Sequence, residues 1–312
     1  MGSEKAIFPM ENVNRMDDAI CNDSKRRHEF VLLFDVTDGN PNGDPDTGNL
    51  PRVDPETMQG LVTDVCLKRK VRNYVSATRS DDVRFRIFVE NRSYLADHKK
   101  RAYEAVGAKS GDNPTKAREW MCSNYYDVRS FGAVLVGRKV EGYNCGQVRG
   151  PLQLTFGRSI DSVLPLDLGI TRVASENRGD ALDAGEEEEA RTGTMGRKAL
   201  IPYGLYKSYG FYNPLLARET GFTNEDLRLF WEALQMMWDF DRSASRGLMA
   251  CRGLYVFSHA NTQGCAPAHV LLDRIEVKKN DAVAVPRAFG DYDVRVSDQS
   301  LPSGVILTRF VA

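Results

Sequence analysis

The stretch Asp38-Gly-Asn-Pro-Asn-Gly-Asp-Pro-Asp46 constrains the fold more than any other, because glycine or proline at nearly every second place rules out a strand or a helix interior. Just before it, His28-Glu-Phe-Val-Leu-Leu-Phe-Asp-Val36 is a short β-rich apolar run bounded by turn signals, which predicts a buried strand. After it, Asp54, Pro55 and Glu56 offer an N-cap oxygen, a proline suited to the first helical position and an acid near the positive dipole end. They predict a helix over about residues 54–75. Met58, Leu61, Val62 and Val65 share one face of it, whereas Leu67, Val71 and Tyr74 lie nearly opposite. Lys68, Arg69 and Arg72 cluster away from the second group, in a run that also holds Lys70. Such a compact cationic surface either meets an anion or is a solvated charged face.

Farther along, residues 84–90 alternate as a strand does, and helical or mixed segments are expected near 94–106 and 115–123, with a loop at 107–114 between them. Residues 146–156 read as another strand. Leu164-Pro-Leu-Asp-Leu-Gly-Ile170 is apolar at every second place, yet Pro165 and Gly169 mark an edge or a projecting arm. Residues 198–212 are again extended and rich in aromatics. Two extended arms around a polar middle form either a long hairpin with an insertion or an ordinary strand connection with a loop. Residues 223–239 predict a helix: Thr223 and Asp226 approximate a capping box, and Leu227, Phe230, Trp231, Leu234 and Met237 make a core-facing stripe. Strands alternating with helices fit an α+β sheet domain.

A chain of 312 residues with 42% hydrophobic content can bury a sizeable core, as one large domain or two ordinary ones. No apolar run approaches the roughly eighteen residues of a membrane span, and the polar first 26 residues are neither a signal peptide nor an obvious transit peptide. The six cysteines, free of any Cys-x-x-Cys pair, read as reduced thiols of a cytoplasmic protein rather than a zinc site. A net charge of −1 argues against a polyanion ligand, but the acid is unevenly placed. Residues 176–191 hold seven acids and two bases, so the remainder carries +4; leaving out residues 1–24, with five acids and two bases, raises this to +7. The rest of the chain is therefore basic, which permits RNA binding.

Three catalytic or metal readings compete. Asp38-x-Asn40-x-Asn42-Gly43 matches the opening of a calcium loop, but Asn49 stands where the bidentate glutamate belongs and Pro41 takes the fourth place. A metal-dependent nuclease could use Asp35, Asp38, Asp44 and Asp46, although Asp and Asn with Gly and Pro are also the ordinary chemistry of tight turns. His28, His98, His259 and His269 have no metal-ligand spacing, and no nucleophile elbow or phosphate-cradling loop is present. No cofactor is expected.

The segments FVLLFDVTDGNPNGDPDTGNLPRVDPETMQGLVTDVCLKRKVRNYV, YYDVRSFGAVL, VRGPLQLTFGRSIDSVLP, TMGRKALIPYGLYKSYGFY, TGFTNEDLRLFWEAL and DRSASRGLM together resemble the Cas7 family of CRISPR-associated proteins. More narrowly, they are similar to the backbone subunit of the type I-C Cascade surveillance complex. The resemblance runs collinearly from about residue 27 to the C-terminal strands. It implies a non-catalytic, cytoplasmic subunit in antiviral defence that repeats head-to-tail along a CRISPR guide RNA (crRNA) and presents the bases to target DNA. Its partners would be the guide RNA, target DNA through the guide, copies of itself and other Cascade subunits. The implied fold is a ferredoxin-type core like that of an RNA-recognition motif (RRM-like), over residues 27–312 after a polar extension at 1–26, with large insertions. One of these, about residues 160–200, would be a projecting thumb, with Leu166, Leu168, Ile170 and Met195 as its apolar contacts.

Within the matching segments, Arg52, Lys68, Arg69, Lys70, Arg72, Arg129, Arg149, Arg197, Lys198 and Arg246 are the candidate RNA-binding residues. Those beside glycine suit phosphate, since the backbone can approach closely and add N–H donors. Each is otherwise a surface ion-pair residue. The stacked aromatics usual for RNA-recognition sheets are not visible, with Phe131 and Tyr143 the nearest candidates, which fits gripping of the backbone and leaves sequence reading to the guide.

Overall fold

β1 (His28–Gly39) is the expected strand, extended by three residues, and it is buried along most of its length. A computed structural model of the chain describes residues 20–110, 112–136, 142–171 and 195–310. After β1 come β2 (Gly43–Asp44), β3 (Leu50–Pro51), β4 (Gln59–Val62), α1 (Asp64–Thr78), α2 (Leu95–Ala105), α3 (Pro114–Asn124) and α4 (Tyr126–Phe131). Next are β5 (Gly132–Val134), β6 (Gln147–Arg149), β7 (Leu152–Leu154), β8 (Gly157–Ser162), β9 (Leu166–Thr171) and β10 (Met195–Tyr212). α5 (Pro214–Thr220), α6 (Asn224–Phe240), β11 (Leu248–His259), α7 (Ala268–Leu272), β12 (Ile275–Lys279), β13 (Tyr292–Val296) and β14 (Val305–Phe310) follow.

The fold is mixed α/β around a central antiparallel sheet in the order β14-β11-β1-β10-β8-β4, with β7 and β9 also pairing with β10. Both faces of β1 are covered, which is why its apolar run is continuous rather than alternating. Phe30, Leu32, Phe34 and Val36 pack with Leu67, Val71 and Val75 of α1 and with the Phe230, Trp231, Leu234 and Met237 stripe of α6. Val31 and Leu33 face the opposite way, toward Leu271, Leu272 and Ile275. A separate helical core gathers Tyr103, Met121, Tyr125 and Val128 from α2, α3 and α4. No helix among the described residues is long and apolar enough to cross a membrane.

Several expectations are corrected. The helix predicted over 54–75 starts at Asp64, capped by Thr63, whose hydroxyl accepts from the Cys66 amide. Asp54 instead closes a tight turn: its carboxylate accepts from Glu56 N (3.1 Å), and its carbonyl accepts from Met58 N (2.8 Å). Asp-Pro is a turn opener as well as a helix opener, and strand pairing of β4 with β8 decides between them. Met58 sits in the left-handed region, and Val65 is 67% exposed, so neither joins a helical core face. Residues 84–90 form a 3₁₀ turn (Val83–Phe85) and then irregular backbone, whose Phe88 and Val89 amides donate to the buried Asp127 carboxylate instead of to a strand. The strand expected over 146–156 is broken at Gly150-Pro151 into β6, paired with β5, and β7, paired with β10.

The helix at 223–239 forms as α6 with both arms of the Thr223/Asp226 capping box made. Residues 20–26 of the supposed extension are packed into the body: Cys21 is buried and its carbonyl accepts from Trp231 Nε1 (3.0 Å), while the Ser24 carbonyl accepts from Tyr212 Oη (2.9 Å). Residues 1–19 and the acidic segment 176–191 lie outside the described residues.

Candidate nucleic-acid interface

The glycine- and proline-rich loop is held by a few directed contacts that bring it against the start of α1. Asn42 Oδ1 accepts from both the amide and the hydroxyl of Thr63 (2.9 Å each), tying the loop to the helix cap. From the other side, Arg246 Nη1 donates to the carbonyls of Pro41 (2.8 Å) and Asn40 (3.2 Å). Gly39 permits this approach, since a Cβ there would lie 2.0 Å from the Arg246 carbonyl oxygen. An open groove of about 520 Å³ results, walled by Arg52, Arg69, Lys70 and Arg246 with Phe156 and Val65. It runs past the N-terminus of α1, where the helix dipole favours negative charge.

The ten predicted cations divide sharply. Three are internal. Arg129 is buried between the rings of Phe85 and Tyr126 and donates from Nε (3.0 Å) and Nη2 (2.6 Å) to Asp226 Oδ1. Arg72 donates from Nε to Asp127 Oδ2 (2.8 Å), and Lys70, buried, pairs with Asp241. Burial pushes the Lys70 pKa down from its ordinary value, and the Asp241 charge opposes that shift. Removing any of the three deprives a carboxylate of its closest cationic partner, so their first role is structural.

Four others border the groove or its edge while keeping local partners. Arg52 lies 3.4 Å from Asp44, Arg246 lies 3.4 Å from Asp241, and Arg69 donates to the Val89 carbonyl (2.7 Å). Lys68 bonds Asp64 (3.1 Å) and Gln153 (3.3 Å) above the Phe131 ring. The last three lie away from the groove lining. Arg149 is exposed at the end of β6, Lys198 is half-buried on β10, and Arg197, 85% exposed, reaches Asp167 on the facing strand (3.2 Å).

Arg197 and Lys198 belong to a hairpin in which residues 195–200 of β10 pair only with β9, beyond the point where β10 pairs with β1. Leu168 and Ile170 are 45% and 50% exposed on this arm, and Leu166 is half-buried nearer its base. The Met195 backbone pairs with Thr171, and its side chain lies outside the described set.

The carboxylates of the nuclease reading are employed separately. Asp35 is buried, accepting from Arg252 Nε (2.7 Å) and Tyr203 Oη (3.0 Å); burial raises its pKa and the Arg252 contact counters this. Asp44 caps the short 3₁₀ turn Pro45–Thr47 and faces Arg52, and Asp38 occupies a left-handed backbone position. Among the described residues, no group of three or more His, Cys, Asp or Glu side chains comes together that could hold a metal ion.

Sequence reading missed Phe156, half-exposed in the groove wall, and took Phe131 and Tyr143 as the nearest stackers. Both of those are packed, Phe131 in the main core and Tyr143 against Tyr103. An aromatic followed by glycine between two short strands, Thr155-Phe156-Gly157, was the available signal. Arg158 was missed too; it is 53% exposed on β8 and bonds Asp54 (2.9 Å).

The family model described as CRISPR-associated protein Cas7 matches residues 26–297. A curated relative, CRISPR-associated protein Cas7 of Haloferax volcanii, is 26% identical over 232 residues, covering 67% of this chain and 64% of the relative. The chain thus spans less than two thirds of that relative's length. Among solved structures, a chain of a CRISPR RNA-guided surveillance complex, pre-nicking, aligns with a TM-score of 0.47 at 15% identity, over 74% of this chain and 78% of that one. A chain of a second CRISPR RNA-guided surveillance complex gives 0.44 at 14% identity, over 74% and 68%.

Proposed function

The chain belongs to the CRISPR-associated Cas7 family, and on that footing we propose that it is a non-enzymatic guide-RNA-binding backbone subunit of a type I-C Cascade complex. The observation that carries this reading is the groove of about 520 Å³ in which Arg52, Arg69 and Arg246 border the N-terminus of α1. A polyanion laid there meets guanidinium groups and the positive end of the helix dipole together, contacts that neutralise phosphate without reading sequence. Bases then stay free to pair with target DNA.

Two further features support the finer points. The order β11-β1-β10-β8, with α1 after β1 and α6 between β10 and β11, supports the reading as a ferredoxin-type core. The β9–β10 arm, with exposed Leu168 and Ile170, suits a thumb that reaches a neighbouring copy. Copies on a linear guide make heterologous, head-to-tail contacts rather than a closed ring. The remaining partners are other Cascade subunits, and Arg149, Arg197 and Lys198 extend the proposed RNA path.

Titrating single-stranded RNA at several salt concentrations tests this. Arg52→Gln and Arg69→Gln should each weaken binding similarly for unrelated sequences and lower the log–log salt slope by about 0.7. An unchanged slope, or a loss confined to one sequence, sinks the proposal.

A further inference from the structure

A hollow of about 380 Å³ opens beside α5, and its lining joins an apolar wall to two cations and no carboxylate. The size falls within the range that holds small ligands. Ala217 and Phe222 are buried in the wall, while Leu215, which also lines it, is 45% exposed. The wall is firmly built. Asn213 caps α5 by accepting from the Leu215 amide (2.9 Å), Gly221 ends it in the left-handed region, and the Phe222 amide donates back to the Ala217 carbonyl (3.0 Å). The Phe222 ring then packs against Tyr212, with centroids 5.5 Å apart. Opposite stand Ser24 and Lys25. Asn224 Oδ1 pins Ser24 by accepting from its amide (2.9 Å) and its hydroxyl (2.6 Å).

The two cations are Lys25 and Arg218, both exposed, and among the described residues neither is ion-paired. Asp23, two residues before Lys25, is taken by Arg26 (2.9 Å), and Glu219, next to Arg218, does not line the hollow. The described chain enters at Ile20, one turn before Ser24, with the Asp23 amide donating to the Ile20 carbonyl (3.3 Å). Residues 1–19, outside the described set, therefore join the body beside this hollow. They hold four acids and two bases, a net of −2, and one apolar run, Ala6-Ile-Phe-Pro-Met10, followed by Glu11. Met10 stands ten positions before Ile20, a reach of up to about 33 Å.

We infer that this hollow is the seat of residues 7–10 of the same chain, with Phe8 against Phe222 and Leu215, and Glu11 beside Lys25 and Arg218. The chemistry of the two parts is complementary. An aromatic side chain set on the wall takes the exposed Leu215 surface out of water. Pro9 has no amide N–H, so a Phe-Pro-Met run enters an apolar wall without stranding a donor there. The acids of the segment meet cations that no carboxylate of the described body has claimed. The seat is independent of the guide-binding reading.

The full-length chain with p-benzoylphenylalanine in place of Phe8 tests this. On irradiation the expected product keeps the mass of a monomer, and peptide mapping places the new bond within residues 214–222. Leu215→Asp with Arg218→Glu should remove most of that product and leave thermal unfolding unchanged, since both side chains are exposed. Glu11→Lys, which leaves the body untouched, should lower the yield as well. A bond between two chains, a bond elsewhere in the body, or no bond at all overturns the seat. A yield that Glu11→Lys and the double variant both leave unaltered overturns it too; should the double variant unfold, Glu11→Lys decides alone.

Discussion

Arg129 and Arg149 lie in similar surroundings in sequence, each a few residues from a glycine, and they end in opposite places. Arg129 is locked inside, clamped by two aromatic rings and paired with Asp226; Arg149 is exposed on a short strand whose partner strand begins at Gly132, three residues after Arg129. The difference lies in the acceptor. Asp226 is fixed by the α6 capping box, where its Oδ2 accepts from the Thr223 amide (2.8 Å) and hydroxyl (2.9 Å), so Oδ1 is aimed and ready. A cation is drawn inward where a rigid carboxylate waits for it. Where none does, it stays available to a ligand.

The strongest way to break this contrast is to remove one arginine at a time. Arg129→Ala should cost about 3–5 kcal/mol, because Asp226 is left buried and unpaired, whereas Arg149→Ala should stay within about 0.5 kcal/mol. Urea unfolding measures both, and equal losses would dissolve the distinction.

Next in size is a pH effect at a buried base without a charged partner. His28 Nε2 lies 2.9 Å from the Asp23 carbonyl, and Nδ1 lies 2.9 Å from Ser258 Oγ, so Nε2–H donates and Nδ1 accepts. Burial, the main cause, pushes its pKa down from 6.5 to about 4, against the weaker pull of the Asp23 carbonyl. The unfolded chain therefore takes up this proton first. Stability from this site is fully present above pH 6.5 and is lost as pH falls toward 4, by about 3 kcal/mol. His28→Asn should flatten that part of the stability–pH curve; identical slopes in variant and wild type would refute the assignment.

The smallest effect on stability belongs to the arm. Leu168→Asp with Ile170→Asp should shift unfolding by less than about 0.5 kcal/mol per site, since both side chains are half-exposed. If the arm grips a neighbouring copy, the same variant should yield shorter assemblies on RNA in sedimentation. Unaltered assemblies would leave the arm without that role.

How far these features were legible depends on how local their causes are. β1 and α6 were readable because an apolar run and a Thr-x-x-Asp cap with a stripe each carry their own explanation within a few residues. The start of α1 was misplaced because Asp54-Pro55 serves turns and helices alike, and a strand pairing with residues about 158 to 162 settles it. The fate of the cations was not readable. Arg129 and Asp226 are 97 positions apart, and Lys70 and Asp241 are 171 apart. Nothing near any of these arginines or lysines announces the carboxylate that will claim it. The groove inherits the same difficulty, for Arg246 lies more than 200 positions from the Asn40 and Pro41 carbonyls it holds.

β10 has a mechanical consequence of its own. At 18 residues it spans about 60 Å, and it is one strand from the exposed arm to the middle of the sheet, paired with β9 at one end and β1 at the other. It behaves as a lever with its fulcrum inside the protein. A tug on the arm is resisted by the ladder to β1, whose many hydrogen bonds are loaded together in shear rather than peeled apart singly. A load on the arm is thereby carried into the middle of the sheet instead of falling on a hinge at the arm's base.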